Sequence, residues 1–91
     1  MITKNMIVSG RVQGVGFRFF TESIANKYGL KGYVRNTRDN RVEILCQGEK
    51  EDIDLFVSEV SRGPAFAVIT DIKIENVEIN KVFNSFEIDY Y

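Results

Sequence analysis

The sequence predicts an α+β fold in which two helices cover one face of an antiparallel β-sheet. Segments with the two-residue alternation of strands and segments with the three- and four-residue spacing of helices follow one another in the order βαββαβ. A short C-terminal segment alternates once more and predicts an extra strand. This order is typical of the split βαβ, or ferredoxin-like, sandwich.

The first half of the chain predicts one strand, one helix and a hairpin. The β-prone run over residues 5–12 predicts a first strand that ends at Gln13, and a glycine-rich turn follows it. The next apolar residues are spaced as on one face of a helix that ends at Gly29, namely Phe17, Phe20, Ile24 and Tyr28. Residues 30–37 and 41–47 then alternate like paired strands. In the tight connection between them, Asn40 is suited to a left-handed conformation.

The second half predicts a helix and two further strands. Gly48 interrupts the alternation, and the second helix is expected to end at Gly63 and Pro64. Its apolar stripe consists of Ile53, Phe56, Val57 and Val60. A fourth strand is predicted over residues 68–79, although its alternation loses phase near Asn76. In the final strand Phe86, Ile88 and Tyr90 alternate with Glu87, Asp89 and Tyr91.

Length and composition limit the functions that the chain can have. The 91 residues, 44% of them hydrophobic, suffice for one packed core but not for two, so we expect a single domain over residues 1–91. A formal charge of −1 does not create the basic field that attracts nucleic acid. The sequence contains neither a signal-peptide pattern nor an apolar stretch that could cross a bilayer, and its one cysteine cannot form an internal disulfide. We therefore expect a cytoplasmic monomer that acts on neither nucleic acid nor membranes.

The glycine-rich stretch near the N-terminus predicts an anion site. Gly10, Gly14 and Gly16 give the backbone freedom to turn successive N–H groups toward one point. Arg18 follows where a helix is expected to start, and a helix start offers unpaired N–H donors to an anion. The planar guanidinium matches phosphate or carboxylate oxygens, and phosphate is the first hypothesis. The alternative is a surface arginine that solvates the first turn.

Several kinds of chemistry are excluded or disfavoured by residue type. The chain has no histidine, so a Ser/His/Asp triad and histidine metal sites are impossible. Cys46 lies in an apolar alternation and is expected to be a small core residue. The carboxylates fall on polar faces or at the start of the second helix, without the spacing of metal ligands. Asn36, at the end of a strand, is open to two interpretations: turn formation, or orientation of a water by its amide.

Two motifs carry a resemblance to a known family. The first is the stretch from Gly10 to Arg18; the second is the stretch from Gly32 to Asn36, followed by Val42 and Gly48. Both resemble the signatures of acylphosphatases, and the similarity extends over essentially the whole chain. One departure is Asn40, where the family usually has glycine.

The resemblance implies hydrolysis of the carboxyl–phosphate bond of small acyl phosphates, without a cofactor, and the residue types already disfavour a metal site. Arg18 matches the family's phosphate-binding arginine, and Asn36 matches the asparagine that orients the attacking water. Gln13 and Thr37 match positions that we regard as supporting. The residues that match the loop whose backbone N–H groups surround the phosphate are Gly14, Val15, Gly16 and Phe17.

Two non-enzymatic functions stay open on the sequence. Domains of this fold also serve as ligand-sensing or RNA-recognising modules. The stretch Lys31–Val34 is faintly similar to an RNA-recognition signature, but its second aromatic is missing. The other alternative is a regulatory domain that binds phosphate without turnover.

Overall fold

The computed structural model describes residues 1–90 and confirms the predicted α+β, ferredoxin-like sandwich. The predicted place of Tyr91 in the last strand lies outside the described residues. The elements follow in the predicted order: β1 Ile2–Arg11, α1 Phe17–Lys27, β2 Lys31–Asn36, β3 Val42–Gly48, α2 Lys50–Val60, β4 Val68–Asn76 and β5 Phe86–Ile88.

The five strands form one sheet in the order β4-β1-β3-β2-β5. The first four strands pair antiparallel, as expected. The short β5 instead pairs with β2 in parallel, so the complete sheet is mixed. The loop before β5 extends this edge, because the N–H of Gly32 donates to the carbonyl oxygen of Ser85 over 2.9 Å.

The core lies between the two helices and one face of the sheet. Met6 and Val34 face Ile44 from the two strands that flank β3, and all three are fully buried. Phe17 of α1 and Phe56 of α2 pack into the same cluster. The predicted helical stripes therefore face the core, although Phe20, Tyr28 and Val57 are only partly buried.

The other face of the sheet is partly covered by the segment 77–83, which the sequence pattern did not indicate. Gln47 of β3 is 2% exposed. Its Nε2 donates to the carbonyl oxygen of Lys81 over 2.7 Å, and its Oε1 accepts from the N–H of Phe83 over 2.9 Å. Leu45, beside it on this face, is also buried. The alternation of β3 is therefore not a division between a buried and an exposed side.

Several element boundaries differ from the prediction. β1 begins at Ile2, α1 ends at Lys27, β4 ends at Asn76, where its alternation loses phase, and β5 ends at Ile88. α2 ends at Val60, since the residues from Ser61 to Gly63 form a turn after it. Asn40 has the expected left-handed conformation, with a φ of 67°.

Candidate active site

The strand register brings the glycine turn and Asn36 to one edge of the sheet. Val42, at the start of β3, lies opposite Val8 of β1 and opposite Asn36 of β2. The chain continues from Val8 to the end of β1 and into the turn. The turn and Asn36 therefore leave neighbouring parts of the sheet at the same edge, as the order of elements predicts.

Residues 14–17 form a turn with an apolar side and an exposed backbone. Val15 packs against the core and Phe17 is 1% exposed. Gly14 and Gly16 are exposed and have φ values of 74° and 77°, in the region that favours glycine. The turn is thus anchored by two side chains, while its glycine backbone stays accessible.

Gly10 has a different role from the one that the sequence predicts. It lies in β1 beside an irregularity in the β1–β4 register, not in the turn. A Cβ at Gly10 would come within 2.0 Å of the carbonyl oxygen of Val68. Gly10 is therefore required by the close approach of β4, and the turn is formed by Gly14 and Gly16.

Arg18 lies in the first turn of α1, immediately after the helix N-cap Gly16 and the first helical residue Phe17. Among the described residues of that turn none is acidic, so the positive end of the helix dipole has no carboxylate beside it. The Cζ of Arg18 lies 5.0 Å from the ring centroid of Tyr90, a cation–π contact. Within residues 1–90, this is the one side-chain interaction found for Arg18.

Arg18 and Asn36, the two predicted catalytic residues, line the same cavity of about 390 Å³. They come from different elements and from different sequence motifs. The predicted substrate-binding residues Gly14, Val15, Gly16 and Phe17 precede Arg18 in the chain but are not among the residues that line this cavity. Its remaining lining residues are Thr37, Arg38, Asp89 and Tyr90.

Gln13 connects the turn to the β2–β3 hairpin. Its Nε2 donates to the carbonyl oxygen of Thr37 over 3.0 Å and to that of Arg41 over 2.8 Å. Both partners are carbonyl oxygens, which only accept, so the amide nitrogen must point toward them. Gln13 thus fixes the position of the turn relative to the hairpin that follows Asn36.

The hairpin is held by its own polar side chains. The Thr37 hydroxyl donates to the Asp39 carboxylate and accepts from the N–H of Arg41 over 3.0 Å. The Arg41 guanidinium lies 2.6 Å from Asp39 Oδ2. The hydrogen bonds from Arg41 and Thr37 lower the pKa of Asp39 to about 2. The carboxylate of Asp39 is therefore ionised and bound by Arg41 and Thr37 within the hairpin.

Cysteine chemistry has no support in this structure. Cys46 is fully buried, which confirms the prediction of a core residue. Burial raises the pKa of its thiol to about 11, so the reactive thiolate is scarce at neutral pH.

The described residues, 1–90, offer neither a group of metal ligands nor a membrane-spanning helix. No group of three or more Cys, Asp or Glu side chains is arranged to hold a metal ion within that range. Nor does any helix of that range have the length and apolarity needed to cross a membrane.

Three of the cavity residues were not predicted from the sequence. Tyr90 shares the phase of the buried Phe86 and the partly buried Ile88, but it is exposed and lies beyond the end of β5, so the alternation did not indicate its place at the cavity. Asp89 lies there because its N–H donates to the carbonyl oxygen of Val34 over 2.9 Å, which continues the parallel pairing of β5. The sequence around Arg38 did not indicate a place at the cavity, since an arginine in a hairpin is commonly a solvated residue.

Comparison with known proteins identifies similar chains along the whole length. The sequence profile of the acylphosphatase family matches residues 4–88. An acylphosphatase of Archaeoglobus fulgidus is 44% identical over 90 residues, which cover 99% of this chain and 100% of the relative.

Solved structures agree with the sequence comparison. The crystal structure of acylphosphatase from Bacillus subtilis has a TM-score of 0.95 and 41% identity, and the match covers 99% of this chain and 100% of that chain. Full-length HypF, in a phosphate- and nucleotide-bound form, has a TM-score of 0.84 and 36% identity. The HypF match covers 98% of this chain but 12% of that chain, so the similarity concerns one part of a larger protein.

The role of Gln13 in holding the turn beside the hairpin can be tested by substitution, with a second glutamine of the sheet as a matched control. Gln13→Ala removes two hydrogen bonds and should lower the free energy of unfolding by about 1–3 kcal/mol. Gln13→Glu should cost more, because a carboxylate would face two carbonyl oxygens. We expect both variants also to weaken the binding of inorganic phosphate, measured by calorimetry, since the turn is no longer held beside the hairpin.

Gln47→Ala is the control for this experiment. Gln47 makes the same number of hydrogen bonds to a loop, but it does not line the cavity. Its loss should lower stability, measured by urea unfolding, without weakening phosphate binding. If Gln13→Ala and Gln47→Ala had the same effect on phosphate binding, Gln13 would have no specific role at this site.

Proposed function

The chain belongs to the acylphosphatase family, and from this membership we propose that it hydrolyses the carboxyl–phosphate bond of small acyl phosphates to a carboxylate and inorganic phosphate. One observation carries the assignment of this reaction to a site. Arg18 and Asn36, which come from two separate motifs, line one cavity at the edge of the sheet.

We propose that Arg18 and the turn bind the phosphoryl group. The guanidinium is a planar fork that can donate two parallel hydrogen bonds to phosphoryl oxygens. Arg18 makes a cation–π contact with Tyr90 but no hydrogen bond or ion pair within residues 1–90, so its N–H donors are not committed to another described side chain. The start of α1 and the backbone N–H groups of Gly14, Val15, Gly16 and Phe17 supply further donors in this proposal.

We assign Asn36 the orientation of the attacking water. Its carboxamide offers one acceptor and two donors, which suffice to hold a water in a fixed direction. The water oxygen forms a bond to phosphorus while the bond between phosphorus and the acyl oxygen breaks, and the electron pair leaves with the carboxylate. The water proton passes to an oxygen of the same phosphoryl group.

This reaction needs neither a protein base nor a cofactor or metal ion. The carboxylate is a good leaving group, since carboxylic acids have pKa values near 4. Phosphoryl transfer is catalysed mainly by positioning and by stabilisation of charge on the equatorial oxygens. A guanidinium and backbone N–H groups provide both, which is consistent with a chain that has no histidine.

The two non-enzymatic alternatives have less support. An RNA-binding sheet would need accessible aromatic rings, but Tyr33 packs against Phe83 with 6.0 Å between ring centroids and lies under Arg35. A phosphate-binding domain without turnover would need no residue to orient water, yet Asn36 lines the cavity with Arg18. We further propose that residues 1–91 form one domain that acts as a monomer in the cytoplasm.

Substitution of Arg18 should impair both binding and catalysis. We expect Arg18→Ala to lower kcat/KM for benzoyl phosphate by at least about 100-fold, because the charge-matched donors are lost. Arg18→Lys should recover only part of the loss, since an ammonium lacks the planar fork. Arg62→Ala, an exposed arginine outside the cavity, is the control. Hydrolysis by Arg18→Lys at the parental rate would contradict bidentate recognition.

Substitution of Asn36 should separate binding from turnover. In Asn36→Ala we expect kcat to fall by about 100- to 1,000-fold, the usual loss when one positioned donor is removed. Inhibition by inorganic phosphate should persist, because Arg18 and the turn are intact. The exposed Asn26 provides the matched control, Asn26→Ala. The assigned role would be wrong if folded Asn36→Ala, checked by thermal unfolding, retained the parental kcat.

A further inference from the structure

We propose that this site prefers acyl phosphates whose acyl group carries a second negative charge, and that Arg38 recognises this charge. The inference rests on the proposed function and assigns the acyl end of the substrate. It follows from the size of the cavity, from the charges that line it, and from the partners of those charges.

The cavity is larger than a phosphoryl group requires. A volume of about 390 Å³ corresponds to roughly a dozen water molecules at about 30 Å³ each. If Arg18 and Asn36 act on the phosphoryl group and the water, the rest of the lining is free to contact the acyl group. That remainder contains two charged side chains, Arg38 and Asp89.

Asp89 is already engaged by another arginine. Its Oδ2 lies 3.5 Å from Nη1 of Arg35. Arg35 also contacts a second carboxylate, since its Nη2 lies 2.7 Å from Oε1 of Glu43. Arg35 therefore offsets part of the negative charge of Asp89. The cavity lining as a whole holds two arginines, Arg18 and Arg38, against this one carboxylate, so it favours an anion over a cation.

Arg38, in contrast, has no charged partner within the described part of the chain. The carboxylate next to it in sequence, Asp39, is bound by Arg41 and Thr37. No hydrogen bond, ion pair or ring contact of Arg38 is found among residues 1–90. The hairpin thus holds two arginines and one carboxylate, and the arginine that lines the cavity is the one without a carboxylate.

This distribution of charge favours a substrate with two anionic ends. The phosphoryl group matches Arg18, and a carboxylate or phosphate at the far end of the acyl chain would match Arg38. A neutral acyl group leaves the Arg38 guanidinium without a counterion. Because Arg38 is exposed, water screens the interaction, and the preference should be moderate.

Succinyl phosphate and butyryl phosphate test this preference, because their acyl chains have the same length and differ in a terminal carboxylate. We expect the protein to hydrolyse succinyl phosphate with a kcat/KM about 2- to 5-fold higher, as for an exposed charge pair. Arg38→Ala should bring this ratio close to one, Arg38→Lys should retain part of it, and Arg38→Glu should reverse it. The ratio should also fall as the salt concentration rises.

The controls separate this preference from general electrostatics and from phosphate binding. Arg62→Ala removes an exposed positive charge outside the cavity and should leave the ratio as in the parent. The proposal is overturned if Arg38→Ala lowers kcat/KM equally for both substrates and weakens inhibition by inorganic phosphate, because Arg38 would then bind the phosphoryl group. If the parent hydrolyses both substrates equally well, only the preference is wrong. If the parent hydrolyses neither substrate, the proposed function is wrong, and the preference with it.

Discussion

Two hydrogen bonds from one side chain hold the parts of the candidate site together. Gln13 Nε2 donates to the carbonyl oxygens of Thr37 and Arg41, and so ties the glycine turn after β1 to the hairpin after β2. The strand register brings the two segments to the same edge, but a sheet edge does not fix the conformation of the loops that leave it. The direction of Arg18 relative to Asn36 depends on this connection.

The start of α1 illustrates how the site is prepared for an anion. A positive side chain in the first turn is unfavourable next to the positive end of the helix dipole, and no acidic residue of that described turn offsets it. The ring of Tyr90 lies against the Arg18 guanidinium and holds it at the cavity. The electrostatic cost is removed when an anion binds, so the free energy of binding includes relief of this repulsion.

Most of the fold was predictable from the sequence because each element carries a clear hydrophobic period. The parallel pairing of β5 was not, since three residues with one alternation do not indicate the direction of a partner strand. Burial of Leu45 and Gln47 depends on the segment 77–83, which crosses this face of the sheet and has no hydrophobic period of its own.

At the site, the glycine turn, Arg18 and Asn36 could be predicted from local motifs, whereas Tyr90 and Arg38 reach the cavity through tertiary structure. Gly10 was assigned to the turn, yet its requirement arises from the approach of Val68 in a distant strand.

In the proposed reaction, a water held beside Arg18 and Asn36 attacks the phosphorus atom of an acyl phosphate. Hydrolysis in water labelled with oxygen-18, followed by mass spectrometry of both products, reveals which atom is attacked. We expect the label to appear in inorganic phosphate, and the carboxylate product to contain none beyond the uncatalysed background. Enzyme-dependent labelling of the carboxylate would show attack at the carbonyl carbon and would contradict the proposed site.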